Sequence, residues 1–215
     1  MRHGIGAVRA LPIDCRAMPP TRCLLYLHGF RSSPQSFKAR RMKAWLEAHR
    51  PEVQWCCPAL PPSPRQAFDL ALALTADWPA DASAVIGSSL GGFYARAVAR
   101  RQGWPLVVLN PAVDPARDLA AYLGEQRAFH SPEDRFQFRA EYLDELRAID
   151  EATPPGPDDP RQCLAIIAKG DEVLDWREMV ARHQGATVKL LPGGDHALSD
   201  FDDHLPDIVR FLGWD

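Results

Sequence analysis

Three features of the sequence predict a three-layer α/β fold: a mainly parallel sheet with helices on both faces and a small helical cap insert. Short runs that are apolar at nearly every position alternate with longer stretches of helical periodicity. Runs of that kind suit strands covered on both faces, where the alternation of a half-exposed sheet is lost. Between residues 110 and 162 the alternation lapses for about fifty residues, too long for an ordinary loop.

The strand candidates are Cys23–Leu27 (CLLYL), Val53–Cys57 (VQWCC), Ala84–Ile86 (AVI), Leu106–Leu109 (LVVL), Leu164–Ala168 (LAIIA) and Thr187–Leu191 (TVKLL). Amphipathic stretches lie between them at Ser36–His49, Arg65–Trp78, Leu90–Arg101 and Trp176–His183, and His204–Leu212 closes the chain. Within the second, Phe68, Ala71, Leu72, Thr75 and Trp78 recur at helical spacing and read as core packing. Strands that alternate with helices imply crossover connections and hence parallel pairing. Pro58–Pro64 reads as a stiff surface connection. The insert shows no convincing strand; Leu119–Tyr122 and Tyr142–Ile149 are its helical pieces, and Pro154, Pro155, Pro157 and Pro160 punctuate its end. Its apolar residues Tyr122, Leu123, Phe129, Phe136, Phe138 and Tyr142 either line a pocket or anchor the cap to the body.

The 215 residues suit one domain, 23–215, preceded by an N-terminal extension of uncertain order at 1–22, with Met18 as an alternative start. Hydrophobic residues make up 46% and charged residues 25%, values that argue against disorder. A net charge of −3 without a long basic run argues against nucleic acid and anionic membranes as partners. Cys15, Cys23, Cys56, Cys57 and Cys163 are odd in number and lack C-x-x-C spacing, which points away from a disulfide framework or zinc site and toward a reducing cytoplasm. No apolar run approaches a membrane span, and the arginine-dotted start lacks the apolar segment of a secretory signal.

Gly87-Ser88-Ser89-Leu90-Gly91 fits G-x-S-x-G, a pattern met by chance in roughly one chain in fifteen of this length, so its context carries the weight. A buried strand precedes it and a helix pattern follows. A serine on such a turn adopts a strained backbone that exposes its hydroxyl as a nucleophile. Only Ser89 has the glycines in frame; Ser88 is a neighbour. The alternative, a phosphate-binding turn, lacks both the P-loop lysine and G-x-G-x-x-G spacing. Acyl transfer also needs two backbone donors for its oxyanion. The Leu90 N–H is one candidate; Phe30 of Tyr26-Leu27-His28-Gly29-Phe30 is the other, with Gly29 as an alternative. His28, at a strand end, reads as a loop-shaping residue.

His196 in Gly193-Gly194-Asp195-His196 lies in a loosened loop after the last strand, where open α/β sheets bind ligands. His3, His49, His130 and His183 read as solvated, and His204 as helix surface. A carboxylate must hold the imidazole in the right tautomer. Asp171 in Gly170-Asp171-Glu172-Val173-Leu174-Asp175 is favoured if its strand neighbours the last one, about 5 Å away. Asp175, a plausible helix cap, is the alternative, and Asp195 is too close in sequence to His196.

HGF (28–30), GSSLGG (87–92), GDEVLD (170–175) and GGDH (193–196), in that order and spacing, resemble an α/β-hydrolase. More narrowly, they resemble the small bacterial esterase family typified by YqiA. His28–Ala39 (HGFRSSPQSFKA) is similar to that family's opening, and Asn110–Val113 to its segment after the post-nucleophile strand. The likeness runs from about Cys23 to the C-terminus. It implies an α/β-hydrolase fold, with Ser89, Asp171 and His196 at triad positions and Phe30 and Leu90 at oxyanion positions. It further implies hydrolysis of a small-molecule acyl ester, or of a thioester through the same residues, without a metal or organic cofactor. A catalytically silent binding protein on the same scaffold is the reading from a different class.

Overall fold

The computed structural model describes residues 20–129, 131, 133–156 and 158–215. Most of the proposed 1–22 extension, with His3, Cys15 and Met18, lies outside the described residues, as do His130 and Pro157.

Six strands form one parallel sheet: β1 (Cys23–Leu27), β2 (Gln54–Cys56), β3 (Ser83–Ser88), β4 (Leu106–Leu109), β7 (Cys163–Ala168) and β8 (Thr187–Leu191), in the spatial order β2-β1-β3-β4-β7-β8. The continuous apolar runs have a direct cause. In β1 and β3–β4 every residue is buried, because helices cover both faces. Leu24 and Tyr26 face a layer built from α1 (Phe37–His49) and α7 (Leu205–Phe211), through Met42, Leu46, Ile208 and Phe211. Leu25 and Leu27 face the opposite layer of α2 (Pro64–Leu74), α3 (Leu90–Gln102) and Met179 of α6 (Trp176–Arg182). Each parallel crossover needs such a helix to bring the chain back. Among the described residues, no helix is long and apolar enough to cross a membrane.

The insert differs from a purely helical cap. Besides α4 (Pro115–Asp118), a 3₁₀ turn at Leu119–Tyr122 and α5 (Glu141–Ala152), it holds an antiparallel hairpin of β5 (Gly124–Arg127) and β6 (Arg135–Phe138). Its strands, GEQR and RFQF, are short and largely polar, so no periodicity marks them. They are stabilised from outside: Phe136 and Phe138 alternate onto the Phe30 ring, with centroids 5.9 and 5.1 Å away. Beyond β5, Phe129 N–H donates to the Arg31 carbonyl (2.8 Å) and Arg31 Nε–H to the Arg127 carbonyl (2.7 Å). The insert is thereby tied to the loop after β1.

His183, read as solvated, and His204, read as helix surface, are both buried. His183 is 1% exposed and bonds Asp158 at 2.8 Å; His204 is 5% exposed, with Nδ1 2.9 Å from the Lys189 ammonium. Both close helix ends, where sequence alone does not reveal that a neighbouring element covers them.

Candidate active site

The sheet places the C-terminal ends of β1, β3, β4, β7 and β8 along one edge, and the segments that follow them meet there. Ser89 ends β3 and begins α3 with φ 55° and ψ −123°, a left-handed backbone that a serine adopts only under constraint. Its N–H donates to the Leu109 carbonyl (3.0 Å), and its own carbonyl accepts from Gly92 (2.8 Å) and Ala112 (3.0 Å). The glycine in frame at 91 is obligatory: a Cβ there would lie 2.0 Å from the Leu27 carbonyl oxygen. That contact brings the turn down onto β1 and sets Ser89 beside the His28–Phe30 loop.

Ala168 of β7 sits opposite Leu191 of β8, so the loops that follow start abreast. They touch so closely that a Cβ at Gly170 would lie 2.2 Å from the Gly194 carbonyl oxygen. This approach brings Asp171 to His196. Asp171 Oδ2 lies 2.8 Å from His196 Nδ1, and His196 Nε2 lies 3.0 Å from Ser89 Oγ. Asp171 Oδ1 accepts the N–H groups of Val173 and Leu174, both at 2.8 Å, which fixes the carboxylate. The Asp171 side chain is fully buried and that of His196 is 21% exposed, so the pair meets solvent through the imidazole alone.

The other acidic residues are engaged elsewhere. Asp175 caps α6 by accepting the Arg177 N–H (2.9 Å), and Asp195 accepts the Ser199 N–H (2.9 Å) and hydroxyl (2.6 Å). His28 is 4% exposed, with Nδ1 3.0 Å from the Gly29 carbonyl and Nε2 accepting the Leu60 N–H (3.2 Å). It shapes the loop that carries Phe30. Neither Phe30 nor Leu90 N–H has a backbone acceptor among the described residues.

Sequence reasoning missed three contributors. Asn110, fully buried, donates to the carbonyls of Asp195 (2.9 Å) and His196 (3.2 Å) and accepts the Ala168 N–H (2.8 Å). It ties the His196 loop to β4 and β7. Glu172 accepts the His196 N–H at 3.0 Å. Lys38, in the first turn of α1, donates to the Ala197 carbonyl beside His196. Burial pushes its ammonium down to about 8, against the pull of Asp195 and Asp171. The only sequence signal for Asn110 and Lys38 is their place in the segments that resemble the esterase family.

A cavity of about 190 Å³ opens on Ser89 and His196, lined also by Phe30, Lys38 and Phe129. Of the insert's apolar residues, Phe129 reaches this cavity, while Tyr122, Phe136 and Phe138 pack around Phe30 and Tyr142 packs on Phe138.

Residues 23–213 match the profile of an uncharacterised protein family, UPF0227. Similar solved structures include mouse α/β-hydrolase domain-containing protein 10, 16% identical over 90% of this chain and 91% of its own, with a TM-score of 0.66. Est1E from Butyrivibrio proteoclasticus, solved with ferulic acid bound, is 15% identical over 94% and 96%, with a TM-score of 0.65. A structure from the metagenome-derived lipolytic enzymes LipS and LipT is 21% identical over 90% and 94%, with a TM-score of 0.64. At such identities the likeness establishes the fold, which is that of the α/β-hydrolases.

Proposed function

This chain belongs to the UPF0227 family, and from that premise we propose that it is a serine esterase acting on short-to-medium acyl esters through an acyl-enzyme. The observation that carries the reading is the relay from Asp171 to Ser89 through the two ring nitrogens of His196, at 2.8 and 3.0 Å. The carboxylate holds Nδ1–H, which leaves Nε2 as the base. Ser89 Oγ attacks the acyl carbon while Nε2 takes its proton. The N–H groups of Phe30 and Leu90 receive the oxyanion, aided by the positive end of α3. Collapse expels the alcohol with the proton from His196, and water then repeats the sequence to free the acid.

On this reading residues 23–215 act as one domain, with the insert at about 110–162 as its cap. The substrate is a small molecule, no cofactor takes part, and the scattered cysteines favour a reducing cytoplasm. A cavity of about 190 Å³ lies below the range of drug-sized sites, roughly 300–1,000 Å³, and favours short acyl groups. Esterase and lipolytic enzymes among the similar structures support the same reading.

A serine-directed fluorophosphonate should label the protein and stop p-nitrophenyl butyrate hydrolysis. Ser89→Ala should lose both, with kcat falling by about four to six orders of magnitude, while Ser88→Ala keeps both. An unlabelled, inert wild-type protein would favour the silent scaffold, and equal losses in the two variants would put the nucleophile elsewhere. Acyl-CoA turnover exceeding that of matched esters would make it a thioesterase.

A further inference from the structure

The residues lining the cavity beside Ser89 include Ser32, Ser36, Lys38 and Tyr26, whose polar groups the esterase reaction does not use. Lys38 brings three ammonium donors, of which one goes to the Ala197 carbonyl. Among the described residues, no carboxylate lies within ion-pair distance of it; Asp195 and Asp171 act on it only through space. A largely buried cation without a contacting anion is costly, and such groups cluster where ligands bind.

Ser36 adds a second, independent sign. It occupies the N-cap of α1, where a serine hydroxyl ordinarily accepts a helix N–H. Here it makes no capping bond, and Oγ is buried without any partner. Tyr26 is 0% exposed, and its hydroxyl too is buried and unpartnered. The 13-residue helix α1 starts at this wall, so its positive end adds to the Lys38 charge. An alkyl chain here would leave the spare ammonium donors and both hydroxyls unsatisfied, whereas an oxyanion supplies the kind of acceptor that they lack.

We propose that Lys38, Ser36 and Tyr26 form an anion subsite, so that the substrate carries a compact carboxylate or phosphate close to its scissile ester bond. The proposal rests on the esterase reading of Ser89 and deepens it to a substrate class.

Paired esters test it. p-Nitrophenyl hemiglutarate and p-nitrophenyl pentanoate share a leaving group and chain length, and differ in an acyl-side carboxylate. The butyrates of 4-hydroxybenzoate and of its methyl ester place the anion on the leaving side instead. In one pair the wild-type kcat/KM should favour the anionic member. Lys38→Met should lower that anionic-to-neutral ratio by about ten- to hundredfold, and Lys38→Arg should restore most of it. The ratio cancels any displacement of His196 through the Ala197 contact, which a purely structural role for Lys38 would produce in both members alike. It should also fade as pH rises through about 8, where free Lys38 loses its proton beside Asp171 and Asp195. His196 serves both esters equally and drops out.

Calorimetric binding of glutarate to wild type and Lys38→Met separates this proposal from the reaction. Binding lost in the variant, without turnover of any ester, keeps the subsite and overturns the esterase. Neutral-ester turnover, with no anionic preference in either pair and no glutarate binding, keeps the esterase and overturns the subsite. A preference that survives Lys38→Met removes Lys38 from it.

Discussion

Strand β7 carries an Asp–His pair at each end, and the two pairs are chemically alike. At its C-terminal end Asp171 meets His196 at 2.8 Å, with Ser89 Oγ 3.0 Å beyond. At its N-terminal end Asp158 meets His183 at 2.8 Å, with Cys163 Sγ 3.9 Å away. Both hold an acid, an imidazole and a nucleophilic atom type, yet their geometries are opposite. In the first, acid and nucleophile occupy different ring nitrogens, so a proton can pass across the ring. In the second, both face the same nitrogen, Nδ1, and no relay exists. Side-chain exposure is 21% for His196 and 2% for His183. Asp158 is also held by Arg100 at 2.7 Å. The lesson is that an acid–histidine–nucleophile cluster is defined by which atoms face one another and by access, not by residue types. The metal-ligand types gathered at Asp158, Cys163 and His183 fall under the same argument, with Arg100 on the carboxylate and Arg96 near it opposing a cation.

The two pairs should differ most in reactivity. Burial pushes the Cys163 thiol well above its ordinary range, with Asp158 adding to the shift, and the residue is 3% exposed. Iodoacetamide should therefore modify Cys163 at least about a thousandfold more slowly in the folded protein than in the denatured chain, as peptide mapping would read. Ser89 should react with a fluorophosphonate in the folded protein alone. Rapid native alkylation of Cys163 would erase the distinction between the sealed pair and the open one.

Next in size are the paired acid substitutions. Asp171→Asn should lower kcat by about two to four orders of magnitude through the wrong tautomer, with a much smaller change in unfolding midpoint. Asp158→Asn should do the reverse, destabilising by up to about 3–5 kcal/mol because His183 and Arg100 lose a buried charge partner, with turnover of the folded protein little altered. Urea titration and steady-state kinetics on both variants give the two readouts. Activity loss in both, or stability loss in both, would mean that the ends of β7 are not functionally separate.

Much of this was legible in the sequence because burial on both faces writes itself as uninterrupted apolar runs such as LVVL and LAIIA. Asp171 and His196 were reachable for a related reason: each follows such a run, and parallel neighbours must end abreast. What was not legible depends on distant partners. The β5–β6 hairpin exists because Phe136 and Phe138 find Phe30. Asn110 bonds carbonyls on a loop far along the chain. Lys38 belongs by its spacing to an amphipathic helix, and only the turn of α1 over the β1 loop carries it into the cavity. His183 resembles any helix-end histidine until Asp158 folds over it.

The smallest effect concerns acid. Burial alone would raise the Asp158 carboxyl, but the His183 hydrogen bond and the charges of His183, Arg96 and Arg100 outweigh it and hold the group below the ordinary carboxylate range. Between the folded and unfolded values, the folded chain therefore binds fewer protons at this site than the unfolded one. Its stabilisation is complete above about pH 4 and is lost as pH falls through the folded value. Asp159, Glu178 and Asp195 are also drawn down, mainly by hydrogen bonds, so the wild-type acid limb is a sum. The difference between wild type and Asp158→Asn isolates one member of it. Unfolding free energies measured from about pH 6 to pH 2 should give a constant gap at the upper end, which narrows as the pH drops below about 4. A gap that stayed constant to the lowest pH would mean that Asp158 holds the fold by its hydrogen bonds alone, and the sealed pair would then owe nothing to charge.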